Sequence, residues 1–252
     1  MGARVPSLTS PMKASMKNGA RQYLAAELKV DFLLEIQLLL LTFSTGIQDA
    51  ISYPDFQCFA SNQTGNSVVL AVGLAGHAGN LFSLGNVGLS LGMFIAGAII
   101  TGQIANAVGP RGRAWLVLSN LAQTLMIFGA AAIQAVTHAR GTGPSAMGSL
   151  TLLAFASGAQ VAAMRPFRIQ EITTAMATAA WVDLVIDPKL LGLRNRPRDR
   201  RLGFLVALVA GSFAGAYMRT GIGSSNALIV SASGKMLVTL LLLLNRQEQP
   251  AP

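Results

Sequence analysis

Between two apolar runs the chain carries the polar stretch Ser44-Thr-Gly-Ile-Gln-Asp-Ala-Ile-Ser-Tyr-Pro-Asp-Phe-Gln-Cys-Phe-Ala-Ser-Asn-Gln-Thr-Gly-Asn-Ser67. Residues 38–43 before it and 68–74 after it are almost entirely apolar. An unpaired polar group in hydrocarbon costs several kcal/mol. Side chains such as Gln48 and Asp49 must therefore face protein or a water-filled cavity, which makes this stretch the first candidate for a functional site.

The composition around this stretch is that of a membrane protein. The chain is 52% hydrophobic and only 12% charged, whereas soluble domains carry about 25% charged residues. Two apolar runs are short, at 65–78 and 172–186. Six others have about the 17–25 residues that a spanning helix needs: Ile36–Tyr53, Leu81–Val108, Ala114–Val136, Met147–Met164, Leu202–Met218 and Ala227–Leu244. We expect an all-α, polytopic membrane protein with six full spans and two short half or re-entrant helices.

The charge distribution supports the same class of protein. A net charge of +9 would suggest nucleic acid in a soluble chain. Here the basic residues lie in connections between apolar runs, as in the cytoplasmic loops of membrane proteins, so we expect no nucleic-acid partner. The single cysteine, Cys58, excludes an internal disulfide and a cysteine metal cluster.

Three regions follow from these patterns. Residues 1–32 form a basic tail that we expect to be mostly disordered and cytoplasmic, with a short helix near 23–31 and no cleavable signal peptide. Residues 33–245 form one transmembrane domain, and residues 246–252 form a short C-terminal tail. The expected location is the plasma membrane.

The two halves of the transmembrane domain contain similar sequence segments. The sequence from Thr45 to Ala50 resembles that from Ser157 to Ala162 at an offset of 112 residues. Further identities recur at an offset of 114: Thr64 with Thr178, Leu70 with Leu184, Gly97 with Gly211 and Gly109 with Gly223. The nearly constant offset favours a two-fold repeat with halves at 33–137 and 146–245. The alternative is coincidence in a sequence rich in glycine and alanine.

Loop charges favour one topology of this repeat. If the short runs do not cross, six spans remain and the halves are inverted; if both cross, eight spans form a parallel repeat. Six spans leave only Arg140 and Arg219 outside, with both termini cytoplasmic. Eight spans would bring Arg140 inside and move four arginines outside: Arg111, Arg113, Arg165 and Arg168. The positive-inside rule favours six.

Several polar residues are candidates for a binding site. We expect Pro54 to break the first helix and leave Asp55 in a loop. Asp49 either lines a water path or caps the next segment. The run 61–67 sets amides and hydroxyls at the head of a short helix, as in transporter sites built from broken helices; the alternative is helix association. The candidate substrate-binding or pore-lining residues are Gln48, Asp49, Asn62, Gln63, Thr64, Gly65, Asn66, Gln160, Thr178, Asp183 and Lys235.

Lys235 is expected near the middle of the last span. A lysine there snorkels to the interface or meets a carboxylate. We expect Asp49 to be its partner, because Asp183 lies near the arginines of the basic loop. The glycine-rich stretches 97–102 and 211–215 are expected to be helix-packing faces.

The sequence predicts no enzyme. His77 and His138 are far apart, and no nucleophile motif, phosphate loop or metal-ligand spacing occurs, so we expect no cofactor and no metal. One hypothesis is a small-molecule transporter or permease with its site between the halves. The other is a non-transporting scaffold or partner subunit. The expected partners are the lipid bilayer, an unidentified small solute and anionic lipids at the loop 189–201. The sequence leaves open whether the chain forms a homo-oligomer.

The polar stretch also resembles a known family. Residues 46–50 and 59–66 resemble the signature of the YoaK-like membrane proteins, known as domain of unknown function 1275, with an aspartate–alanine pair followed by Ser-Asn-x-Thr-Gly-Asn. The resemblance covers about residues 34–244. The second-half motif departs from the family, with Ala179 in place of glycine and Val161 in place of asparagine. The resemblance implies a multi-pass membrane protein that moves small molecules, with no assigned substrate.

Overall fold

A computed structural model describes residues 22–77 and 82–248, together with Gly19. The first half contains α1 (Phe32–Phe56), α2 (Gln63–Val72) with a π-helical turn at Gly73–His77, α3 (Leu84–Val108) and α4 (Arg113–Thr137). The second half contains α5 (Pro144–Met164) with a 3₁₀ turn at Arg165–Phe167, α6 (Thr178–Val185), α7 (Arg196–Gly221) and α8 (Ser224–Leu242). Most of the predicted tail, residues 1–18 and 20–21, lies outside the described residues.

Helix ends follow from local sequence. The side chain of Asp31 accepts a hydrogen bond from the backbone N–H of Leu34 and so caps α1. The predicted break at Pro54 is wrong, because α1 continues to Phe56 and includes Asp55. Pro54 lies in the last turn, where its missing N–H removes a single helical hydrogen bond. Gln57, in the left-handed conformation, then ends the helix.

Within residues 22–77 and 82–248, five helices are long and apolar enough to cross a membrane: α3, α4, α5, α7 and α8. The predicted multi-pass helical architecture is confirmed to that extent. Helix α1 has 25 residues but carries Glu35, Gln37, Gln48 and Asp49, which lower its hydropathy. Helices α2 and α6 have 10 and 8 residues. At the α-helical rise they span about 15 and 12 Å, well short of the ~30 Å hydrocarbon core.

Both described chain ends lie at the same end of the bundle, here named the terminal end. The backbone N–H of Leu28 donates to the carbonyl of Arg111 at 3.0 Å, and that of Lys29 donates to the carbonyl of Arg246 at 3.0 Å. The buried guanidinium of Arg113 donates to the carbonyls of Tyr23 and Asn245 at 2.9 and 2.6 Å. Residues 22–31, where the sequence predicted a short helix within a mostly disordered tail, are therefore held against the bundle, with residues 22–25 helical.

Each short helix lies in a connection that begins and ends at the same end of the bundle. At the opposite end, the side chain of Asn86 donates to the carbonyl of Phe56 at 2.8 Å, so the chain enters α2 and begins α3 side by side. At the terminal end, Glu171 before α6 and Arg200 on α7 lie 3.6 Å apart. Neither short helix carries the chain across the bundle.

Two helix pairs cross with their backbones in close contact. Helix α1 packs along α7, and α5 packs along α3. A Cβ on Gly46 would lie 2.4 Å from the carbonyl oxygen of Leu208, and one on Gly158 would lie 2.0 Å from that of Phe94. The expected packing role holds for Gly97 and Gly211, which face the same crossings. It fails for Gly102, which has no heavy atom within 4 Å of its Cβ position. Helices α4 and α8 pack side by side and bring the halves together.

Candidate functional site

A buried lysine lies at the centre of the bundle. The side chain of Lys235 on α8 is only 1% exposed. Its ammonium donates to the Oε1 atoms of Gln123 on α4, at 3.0 Å, and of Gln160 on α5. Three helices from both halves therefore meet at this one side chain.

Further hydrogen bonds extend this centre into a layer. The amide of Gln160 donates to the Thr45 hydroxyl, and that of Gln48 to the Ser231 hydroxyl, both at 3.0 Å. The hydroxyl of Ser231 in turn donates to the carbonyl of Ser44 at 3.0 Å. We name as the polar layer the buried side chains of Thr45, Gln48, Ser119, Asn120, Gln123, Gln160, Ser231, Lys235 and Thr239.

Asn120 closes the layer toward the terminal end. Its amide nitrogen donates to the backbone carbonyl of Lys235 at 3.0 Å and to the Thr239 hydroxyl at 2.8 Å. Its Oδ1 atom is buried and has no hydrogen-bond partner among the described residues. Buried polar atoms are nearly always hydrogen-bonded, so this acceptor is one place in the layer where a water molecule or a ligand group could bind.

The predicted pair of Lys235 with Asp49 is wrong. Asp49 accepts hydrogen bonds from the backbone N–H groups of Ala60 and Ser61, at 3.1 and 2.9 Å, and from the Ser61 hydroxyl at 2.5 Å. Successive residues on a helix point about 100° apart. Gln48 faces α8, so the neighbouring Asp49 faces the loop after α1 instead.

The remaining residues of the polar stretch hold that loop in place. Asn66 receives the N–H of Phe59 at 3.1 Å and donates to the Phe59 carbonyl at 2.8 Å. Gln63 donates to the carbonyl of Ala60 and the hydroxyl of Ser90, at 3.0 and 3.2 Å. We name this set, with Asp49 and Ser61, the loop clamp. It is separate from the polar layer.

The other candidate residues of the run 61–67 lie at the edge of the loop clamp. Asn62 is exposed and caps α2 by accepting from the N–H of Gly65 at 3.2 Å. Thr64 is exposed. A Cβ on Gly65 would make only ordinary contacts, the nearest at 3.5 Å. The substrate-binding role expected of the motif stays a prediction, because its buried side chains are engaged in shaping the loop.

The structure separates the three second-half candidates other than Lys235. Gln160 lies in the polar layer. Thr178 is exposed at the start of α6. Asp183 is exposed and lies 3.9 Å from Arg201, as expected for an aspartate beside the basic loop. Of the predicted site residues, the structure therefore brings together Gln48, Gln160 and Lys235.

Sequence reasoning missed the contribution of α4. Its polar residues recur on one face at helical spacing: Ser119, Asn120, Gln123 and Thr124. Such a face on a membrane-spanning helix indicates contact with protein or water. That periodicity was available in the sequence, although the contact with Lys235 was not.

Cavities open at both ends of the bundle. One, of about 280 Å³, lies between α4 and α8 at the opposite end and is lined by Gln134, His138, Arg140, Ser225 and Asn226 among others. We name it the opposite-end cavity. The other, of about 600 Å³, lies at the terminal end beside the basic loop 189–201. There the Lys189 N–H and the Asn195 side chain lower the pKa of Asp187, and Arg201 and Arg198 act in the same direction.

Comparison with known proteins gives a family and no function. The family described as Protein of unknown function (DUF1275) matches residues 37–241. The chain therefore belongs to DUF1275, and the resemblance to YoaK-like proteins is confirmed. No curated protein and no solved structure matches the chain.

Proposed function

We propose that this member of DUF1275 is a membrane transporter for a small solute, and that the solute binds at the polar layer between the two halves. The observation that carries the proposal is the buried Lys235, held by glutamine oxygens from α4 and α5. An ionisable residue inside a membrane domain is costly, and where it occurs it usually marks a solute or ion pathway.

A purely structural role explains this lysine poorly. The close glycine crossings of α1 with α7 and of α3 with α5 already hold the helices together. Neutral amides and hydroxyls elsewhere in the layer supply interhelical hydrogen bonds without a charge. A lysine would add only a desolvation cost to such a scaffold. The scaffold or partner-subunit alternative is therefore the weaker one.

The proposal includes six spans in two inverted halves, with α1 as the sixth span. Its support is the matching pattern of contacts: α1 crosses α7 at Gly46 and Leu208, while α5 crosses α3 at Gly158 and Phe94. The glycines differ by 112 in number and the carbonyl residues by 114. Inverted repeats place the solute site at mid-membrane between the halves, which is where the polar layer lies along α4 and α8.

Ion pairs join α1 to α7 at both ends. At the opposite end, Asp55 accepts from the guanidinium of Arg219 at 2.9 Å. At the terminal end, Glu35 accepts from Arg196 and Arg200, each at 2.6 Å. With Lys235 sealed between them, the structure corresponds to an occluded state in the proposed cycle. Access from either side then requires one of these pairs to part.

Lipid contact at the terminal end is a second part of the proposal. Leu191 and Leu193 are 94% and 100% exposed, and Lys189 and Arg194 flank them in the basic loop. Exposed leucines beside cations suit the headgroup region of an anionic leaflet. We place the protein in the plasma membrane with this loop on the cytoplasmic side.

Uptake into liposomes tests the function. The purified protein is reconstituted and offered small anions, cations and neutral solutes as separate radiolabelled probes. Gln123→Ala and Gln160→Ala should each reduce uptake of whichever solute is transported. Gln170→Ala is the matched control, because Gln170 is exposed at the terminal end. No uptake of any solute by the wild-type protein would contradict the proposal.

A further inference from the structure

The lysine in the polar layer has a neutral counterpart in the other half. Four pairs of residues differ by 112 in number, and the first three match in chemistry: Thr45 with Ser157, Gln48 with Gln160, Ser119 with Ser231, and Gln123 with Lys235. In the last pair, glutamine in the first half corresponds to lysine in the second. A neutral side chain therefore occupies the equivalent position of the first half, so the matching pattern does not by itself require a charge there.

The acidic residues of α1, which packs against α8, are all engaged elsewhere. Both carboxylate oxygens of Asp49 accept hydrogen bonds from residues 60–61. Asp55 pairs with Arg219 at the opposite end, and Glu35 pairs with arginines of α7 at the terminal end. None of these carboxylates is a hydrogen-bond partner of Lys235.

The other neighbours of Lys235 offer no counter-charge either. The only charged residue of α4 is Arg113, at its first position, and α5 carries no charged residue. The charged residues of α7 lie at its two ends, at 196–201 and 219. Within the described part of the chain, Lys235 meets only neutral oxygens. A protonated Lys235 therefore has an unmatched charge, which in a buried site is strongly unfavourable.

We propose that the polar layer binds a small anion, whose negative charge pairs with Lys235. This inference rests on the proposed transport function and names its substrate class. The anion takes the place of one or both glutamine oxygens on the ammonium, and the freed amide groups of Gln123 and Gln160 turn their N–H donors toward it. The Ser119 hydroxyl, which now accepts from the Gln123 amide, supplies a further donor.

The opposite-end cavity suits the same class of solute. Among the described residues its lining includes His138 and Arg140 and no acidic residue, although Arg140 lies 3.8 Å from the carboxylate of Asp55 behind the wall. Ser225 in its wall and Lys235 are ten residues apart on α8, which corresponds to about 15 Å along the helix. Basic residues at a cavity mouth raise the local concentration of anions. Its volume of about 280 Å³ is below that of most drug-sized ligand sites, so the anion is small, such as a short carboxylate or an inorganic oxyanion.

Uptake of solutes of different charge into liposomes tests the inference. The probes are acetate, lactate and phosphate as anions, methylammonium as a cation and glycerol as a neutral solute. We expect uptake of at least one anion, reduced about tenfold or more by Lys235→Gln, because removing one member of a buried charge pair costs that much. Lys235→Arg should retain part of the uptake. Lys29→Gln, an exposed lysine before α1 at the terminal end, is the control and should leave it unchanged.

The outcomes separate the class of solute from the function. Uptake of methylammonium or glycerol alone would overturn the anion inference and leave transport standing. If no probe is taken up, the proposed function fails, and anion binding is judged from the thermal stability of the detergent-purified protein. A rise in melting temperature with anion concentration, absent in Lys235→Gln, would then support the anion site. No rise in the wild-type protein would overturn it. If Lys235→Gln does not fold, the same comparison uses Lys235→Met.

Discussion

The glycine crossing of α3 with α5 gives the sharpest test of the packing. A Cβ on Gly158 would lie 2.0 Å from the carbonyl oxygen and 2.8 Å from the carbonyl carbon of Phe94. Contacts of this type below 3.0 Å essentially never occur, so Gly158→Ala must push the helices about 1 Å apart. Both atoms belong to the backbone, and no side-chain rotation relieves the clash.

The size of the effect follows from two opposing contributions. Alanine in place of glycine inside a helix stabilises it by about 1 kcal/mol. Overpacking costs about 1–3 kcal/mol, and a backbone clash belongs at the upper end of that range. Gly158→Ala should therefore destabilise the protein by about 2 kcal/mol net. The matched control is Gly102→Ala on α3, which has no heavy atom within 4 Å of its Cβ position and should be neutral or slightly stabilising.

Thermal unfolding of the detergent-purified variants measures the difference. For a chain of this size 1 kcal/mol corresponds to about 2–4 °C, so Gly158→Ala should melt about 4–8 °C below the wild-type protein. Gly46→Ala, at the corresponding crossing of α1 with α7, should behave alike, since its Cβ would lie 2.4 Å from a backbone oxygen. Equal melting temperatures for Gly158→Ala and Gly102→Ala would refute the close crossing. A neutral Gly46→Ala beside a damaging Gly158→Ala would refute the equivalence of the two halves.

Three further predictions concern the site, the topology and the lipid contact. Asp49→Ala leaves the backbone N–H of Ser61 without its acceptor, while the N–H of Ala60 keeps the Ser52 hydroxyl, and it should cost about 1–3 kcal/mol. Combined with Lys235→Gln its effect should add, because the two residues share no partner, and a coupling energy well above 0.5 kcal/mol would restore the pair predicted from sequence. In a background with the single cysteine replaced by serine, an impermeant thiol reagent added outside intact cells should label Arg140→Cys and not Arg165→Cys, and the reverse pattern would contradict the six-span arrangement. Replacing the lysine and arginines of the loop 189–201 by glutamine should reduce stabilisation by anionic over zwitterionic lipid in melting experiments, and an unchanged difference would remove the lipid contact.

Much of the fold could be predicted from the sequence because hydropathy acts locally. Runs of about twenty apolar residues have few alternatives to a membrane-spanning helix, and a polar stretch between them has to bend away from lipid. The two short helices were predicted on that basis, whereas the family membership was predicted from the motif residues at 46–50 and 59–66. The end of α1 was misplaced because a proline in a last turn costs less than one in a helix interior.

What the sequence alone determined about this protein is therefore its class, its helices and the residues that lipid excludes. Only the tertiary structure decided which of those residues meet. Gln48 and Asp49 are neighbours in sequence, yet one faces α8 in the polar layer and the other faces the loop clamp. That division depends on how α1 is rotated, and the rotation is set by its glycine contact with α7, more than 160 residues away. Lys235 likewise meets Gln123 and Gln160 because three distant helices pack together, which no local pattern encodes.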